Sequence, residues 1–116
     1  MGKMYQELLK DIPALLPLDQ TSYSENNYWV FGIVLNEDVK FNAKEAMKKL
    51  AEKGIGTRPF FYPLHKQPVF EKMGLFDNIS RPISENLHTR GFYIPSGLNL
   101  TCDKIEYVAN KVKELF

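Results

Sequence analysis

The strongest hydrophobic pattern lies at the end of the chain. In "TCDKIEYVANKVKELF", Ile105, Val108, Ala109 and Val112 recur at helical spacing and mark one apolar face. Thr101 stands at the cap position, and Asp103 in the first turn suits the positive end of the helix dipole. "NAKEAMKKLAEKG" carries a second stripe, Ala43, Ala46, Met47, Leu50 and Ala51, with lysines opposite. Asn42 and Glu45 form a capping box, and Gly54 ends this helix in the left-handed conformation that a Cβ disfavours. "MYQELLKDI" places Met4, Leu8, Leu9 and Ile12 on one side of a short helix that stops before Pro13. Other segments have a different rhythm. "YWVFGIVL", residues 28–35, is aromatic and β-branched on both faces, which predicts a central strand with Trp29 in the core. Gly32 within it implies a close neighbour or a bulge.

Between these elements the chain is punctuated. "LLPLDQTSYSENN" is polar and turn-rich, hence a loop, and "NEDV" turns the chain. In "IGTRPFFYP" the two prolines push Arg58 and Tyr62 toward extended backbone. "QPVFEKMG" suits a helical turn or two from Pro68. "SRPISENLHTRG" reads as a short helix with Ser80 as cap, Pro82 in its first turn and Gly91 as stop; "FYIP" is a short strand. The order predicts an α/β (α+β) two-layer sandwich over residues 1–116, a single domain. Its small, mostly antiparallel sheet of three or four strands buries the stripes of helices 42–53 and 101–115.

Composition narrows the function more than the fold. The 116 residues are 44% hydrophobic and 25% charged with a net charge of +1, so the chain is a folding sequence with no bias toward nucleic acid or an anionic membrane. No apolar run approaches the ~18 residues of a membrane helix. The N-terminus has no secretory signal, and a cytoplasmic location is the expectation; "MG" ahead of "KMYQELLKDI" reads like a start added to an internal segment. One cysteine and two histidines exclude an internal disulfide and supply a metal site poorly.

There is no glycine-rich phosphate loop, no HExxH and no nucleophile elbow. "GIGTRPFFYPLHKQPVF", residues 54–70, holds the candidate chemistry. Arg58 reads equally as a fork for a carboxylate or phosphate and as a surface arginine at a strand edge. His65 sits in a loop between prolines, where it either meets a ligand or pins the backbone. Tyr62 and Phe60 are packing residues on composition alone. His88 falls in a polar helix and reads as solvated. Cys102 at a helix start has a dipole-lowered thiol but no neighbouring histidine, and Ser96-Gly97 is turn chemistry. No complete catalytic set exists, which favours a binding surface or one part of a larger active site.

These segments also carry a resemblance. "GI.TRPFFYPLH.QP" and "P.SE.L…G.YIPSG..LT...I.YV", in order and spacing from about Tyr28 to Phe116, are similar to the C-terminal part of PLP-dependent nucleotide-sugar aminotransferases of the DegT/StrS type. Perosamine synthetases are the members they most resemble. The resemblance implies the small C-terminal domain of an aspartate-aminotransferase-fold enzyme. Its missing N-terminal large domain would carry pyridoxal phosphate and the Schiff-base lysine, so this fragment alone would hold no cofactor and no catalytic residue. It implies that Arg58, Tyr62 and His65 face the nucleotide-sugar substrate or the domain interface. Ala43-Lys44 stands where many members have an arginine. It also implies orphaned apolar surface, at Tyr5, Leu8 and Leu9 or at Phe60, Phe61 and Tyr62. Such a fragment would self-associate or fold its N-terminal helix onto its own sheet. Two other readings are a free-standing sandwich module for a small ligand or protein, and a PLP-dependent sugar dehydratase of the same family.

Overall fold

Strand β3 (Gly91–Ile94) organises the molecule, with β1 (Phe31–Val34) on one side and the two-residue β2 (Arg58–Pro59) on the other, both antiparallel. This is a computed structural model, and it describes residues 1–16 and 21–116. The register pairs Phe31 with Ile94 and Ile33 with Phe92, which puts four apolar side chains on one sheet face. Onto that face pack α1 (Gly2–Leu9), α2 (Ala43–Ala51) and α5 (Cys102–Lys113). Ala43, Ala46 and Leu50 of α2 and Ile105, Val108, Ala109 and Val112 of α5 are buried, as their spacing predicts; Met47 is half-buried and Ala51 is exposed. The result is the expected α+β two-layer sandwich.

Local chemistry explains where the elements begin and end. Asn42 accepts from the Glu45 backbone N–H at 3.0 Å, and Glu45 accepts from the Asn42 N–H at 2.9 Å. Gly54 ends the same segment at φ +75. The hydroxyl of Thr101 makes no cap bond although Thr101 holds the cap position of α5. In α1 the buried side is Gly2, Tyr5 and Leu9, with Met4, Leu8 and Ile12 at the edge of the core. Burial without a charge partner pushes the Tyr5 phenol up to about 12, and its hydroxyl donates to Pro95 O at 3.0 Å.

Three expectations are corrected. First, β1 is an edge strand, not the central one. Its two-sided apolar pattern arises because Phe31 and Ile33 face the helices while its outer edge is partly covered by the segment before residue 17. There Leu16 N donates to Val34 O at 2.8 Å and Asn36 N to Ala14 O at 2.8 Å. Second, Trp29 is 72% exposed rather than core. The extended run starts only at Phe31, because Tyr28 adopts φ +51 and the Asn26 and Asn27 side chains accept from the Tyr28 and Trp29 N–H groups. Third, Ser80 does not cap α4 (Pro82–Arg90). Arg81 holds that position, and its backbone N–H goes to the Glu85 carboxylate at 3.0 Å. In the predicted loop, residues 17–20 lie outside the described residues, and 21–27 carry no helix or strand. Among the described residues no helix is long and apolar enough to cross a membrane.

The other sheet face is thin. Gly32 and Tyr93 pair there, and the Phe60 ring stacks on Tyr93 with centroids 4.6 Å apart. A Cβ on Gly32 would lie 2.8 Å from Phe60 Cζ, which is the close neighbour that its glycine implies. Phe60 therefore anchors the start of a long arm, residues 57–90, to this face.

Candidate functional site

The arm leaves β2, passes Phe60–Pro63 and makes one turn of 3₁₀ helix at Leu64–Lys66. It continues through α3 (Pro68–Lys72) and returns along α4. The prolines do what the sequence predicts: Pro59 and Pro63 keep the chain extended, and Pro68 opens α3. Between the outgoing and returning limbs lies an open groove of about 810 Å³. Tyr62, His65, Gln67, Arg81 and Ser84 line it, with Tyr93 at its base among several apolar side chains.

Polar clamps, not burial, hold the limbs together. Glu85 of α4 accepts from His65 Nε2 at 2.8 Å and from Lys66 Nζ at 2.8 Å, besides the Arg81 N–H. These partners, Lys66 first, then the Arg81 N–H, then His65, draw the Glu85 carboxyl down to about 2. The same pair raises the Lys66 ammonium, mainly through its hydrogen bond to Glu85. His88, one turn further along α4, donates from Nδ1 to Phe60 O at 3.1 Å and receives the Tyr62 ring edge-on at 4.8 Å between centroids. At the end of α4 the Arg90 guanidinium donates to Phe41 O at 3.0 Å and Val39 O at 2.9 Å, and also to Asn36 O and Leu35 O.

The structure brings two of the three candidate residues together. Tyr62 and His65 line the groove. Arg58 does not: it lies on β2 with its backbone paired to Tyr93, exposed, and its side chain meets no hydrogen-bond or ionic partner among the described residues. His88 is half-buried and bonded rather than solvated. Cys102 is exposed, and Ser96 does more than turn the chain: its hydroxyl accepts from Phe31 N at 2.7 Å and donates to Ile94 O at 2.8 Å, tying β1 to β3. Glu85, Arg81 and Arg90 escape sequence reasoning. Only the Glu85–His65 interval of twenty residues separates the clamp partners, and nothing local in "PISENLHTR" sets that carboxylate apart from a solvated one.

The comparisons with known proteins agree on one family. The model of the DegT/DnrJ/EryC1/StrS aminotransferase family matches residues 1–113. The chain is 26% identical over 116 residues to a GDP-perosamine synthase of Vibrio cholerae, covering all of this chain and 31% of that protein. It is 29% identical over 108 residues to a GDP-perosamine synthase of Escherichia coli O157:H7, covering 92% of this chain and 28% of that one. The chain thus spans about three tenths of the length of these curated relatives. Its fold superposes on the Helicobacter pylori aminotransferase PseC of pseudaminic acid biosynthesis with a TM-score of 0.84 at 19% identity, over 99% of this chain and 30% of that one. Its motifs, its sandwich and this family match over nearly its whole length together establish that the chain belongs to the DegT/DnrJ/EryC1/StrS aminotransferase family.

Proposed function

We propose that residues 1–116 form the C-terminal small domain of a PLP-dependent aminotransferase that acts on a nucleotide-linked keto-sugar, as a perosamine synthetase does. The observation that carries this reading is the family match over residues 1–113 by a chain that spans only about three tenths of its relatives. In this reading the arm forms one wall of the substrate cleft. Tyr62 offers a hydroxyl and His65 a ring nitrogen to the sugar. Arg58, exposed and without an ionic partner among the described residues, offers a fork to the diphosphate or to the domain interface.

In this reading the groove described above is not the Schiff-base site. Among the described residues no lysine lines it, and the adjacent Lys66 is committed to Glu85 as an ion pair. Pyridoxal phosphate supplies the electron sink of amino transfer in the whole enzyme, held by residues outside this chain. The chain's own contribution is to bind, orient and exclude water. The apolar side chains that the arm leaves exposed, Phe61, Leu64, Val69, Met73 and Ile83 among them, suit a surface covered by the rest of the enzyme or, in isolation, by a second copy. The N-terminal helix needs no such cover, since Tyr5 and Leu9 are buried in the chain's own core.

A chimera tests the reading. This chain replaces the matching C-terminal part of the Vibrio cholerae relative, and the product is assayed with GDP-4-keto-6-deoxymannose and glutamate. Amino transfer supports the proposal. Loss of the 3-hydroxyl without amination supports the dehydratase reading. A folded, PLP-loaded chimera that does neither contradicts both.

A further inference from the structure

We infer that Glu85 is a positioning residue: it fixes the His65 ring so that Nε2 is always the donor into the clamp and Nδ1 is the atom presented to the occupant of the groove. Three distances place the carboxylate at the centre, with His65 Nε2, Lys66 Nζ and the Arg81 N–H all within 3.0 Å of its two oxygens. An ionised carboxylate has no proton to give, so His65 Nε2 carries the hydrogen in either charge state of the ring. The His65 side chain is 9% exposed and lines the groove. Its Nδ1 has no protein partner among the described residues, and no buried side-chain nitrogen or oxygen there is left without one. Nδ1 therefore keeps access to solvent, on a ring that lines the groove.

The consequence is chemical. A neutral His65 held in this way offers a lone pair and selects a hydrogen-bond donor. On the proposed reading, on which this identification rests, that donor is a sugar hydroxyl rather than a phosphate oxygen. Lys66 meets the same carboxylate, so the second charge of the clamp does not have to come from the imidazole. Glu85 also reaches the first turn of its own helix through Arg81. One side chain thus sets the ring, the 3₁₀ turn and the start of α4 together.

Ring-nitrogen NMR on the histidine-labelled chain tests this without reference to any sugar chemistry, so its failure is separate from that of the aminotransferase reading. The wild type should show a slowly exchanging His65 ring N–H on Nε2 and none on Nδ1. The His88 Nδ1–H bonded to Phe60 O serves as an internal control. In E85A the His65 signal should vanish and the His88 signal remain, with amide exchange of Lys66 and Gln67 faster by about tenfold or more. E85Q, whose amide oxygen still accepts, should restore the Nε2–H signal. A wild type whose protected ring hydrogen sits on Nδ1, or an E85A chain with His65 unchanged, overturns the inference. If E85A loses the His88 signal as well, and with it the fold, the wild-type Nε2–H signal decides alone.

Discussion

The sandwich and the arm both carry large apolar side chains, and these end in opposite states. Between Ile55 and Phe92 no hydrophobic residue joins the core, whereas β1, β3, α1, α2 and α5 all contribute buried side chains. Yet the arm holds Phe61 at 77% exposure, Leu64 at 64% and Ile83 at 77%. The sandwich is held by burial, which is non-directional and scales with area. The arm is placed by a few directional contacts: Glu85 to His65 and Lys66, His88 to Phe60, and Arg90 to the loop after β1. Apolar content alone therefore does not make a core. The arm is fixed by polar clamps and keeps its apolar side outward.

Substitutions on either side should separate the two regimes. Leu50→Ala, at a fully buried position of α2, is expected to cost about 2–5 kcal/mol in a denaturant melt. Ile83→Ala removes a side chain of comparable size from the arm and should change stability by no more than about 0.5 kcal/mol. Equal costs would erase the distinction.

Arg90 joins the two regions, and Arg90→Ala should fall between those extremes. It strips several backbone carbonyls of a charged donor at once and is expected to cost about 2–3 kcal/mol. The loop 35–41 should open first in amide exchange. A loss spread evenly over the sheet would contradict a local staple.

Acid should loosen the arm before the sandwich. The folded Glu85 carboxyl is drawn down to about 2, below its ordinary 4.5, so the clamp stabilises fully above the ordinary value and is lost as pH falls through the folded one. Between about pH 4.5 and 2 the Glu85-dependent protection of the Lys66 and Gln67 amides should fade while α5 amides stay protected. E85Q should abolish that pH dependence.

The smallest effect expected is a null one. Pyridoxal phosphate followed by borohydride should leave no single stoichiometric pyridoxyl-lysine on this chain, only scattered low-level adducts of surface lysines. One fully modified site would contradict the reading of the groove.

The two regions also differ in how legible they are. The stripes of α2 and α5, the capping box at Asn42 and the stop at Gly54 are local signals, and the structure repeats them except at Met47 and Ala51. Gly32 announces a neighbour that proves to be Phe60. What local pattern misses is pairing. Apolar residues on both faces made residues 28–35 look central, because periodicity cannot distinguish a sheet partner from the loop segment that covers an edge. Trp29 was drawn into the same run, and only the left-handed backbone at Tyr28 excludes it. Tyr62 and His65, which both line the groove, are legible as residues of a proline-shaped segment. Glu85 and Arg90 are not, since their roles depend on partners twenty to fifty-five residues away.

On the proposed function, the rest of a longer enzyme covers the arm. Hydrogen–deuterium exchange on the isolated chain and on the chimera with the Vibrio cholerae relative tests it most directly. The account predicts that α3 and α4 exchange much faster than α2 and α5 in the isolated chain and gain protection in the chimera, with the sandwich unchanged. Arm amides that exchange alike in both proteins would contradict it.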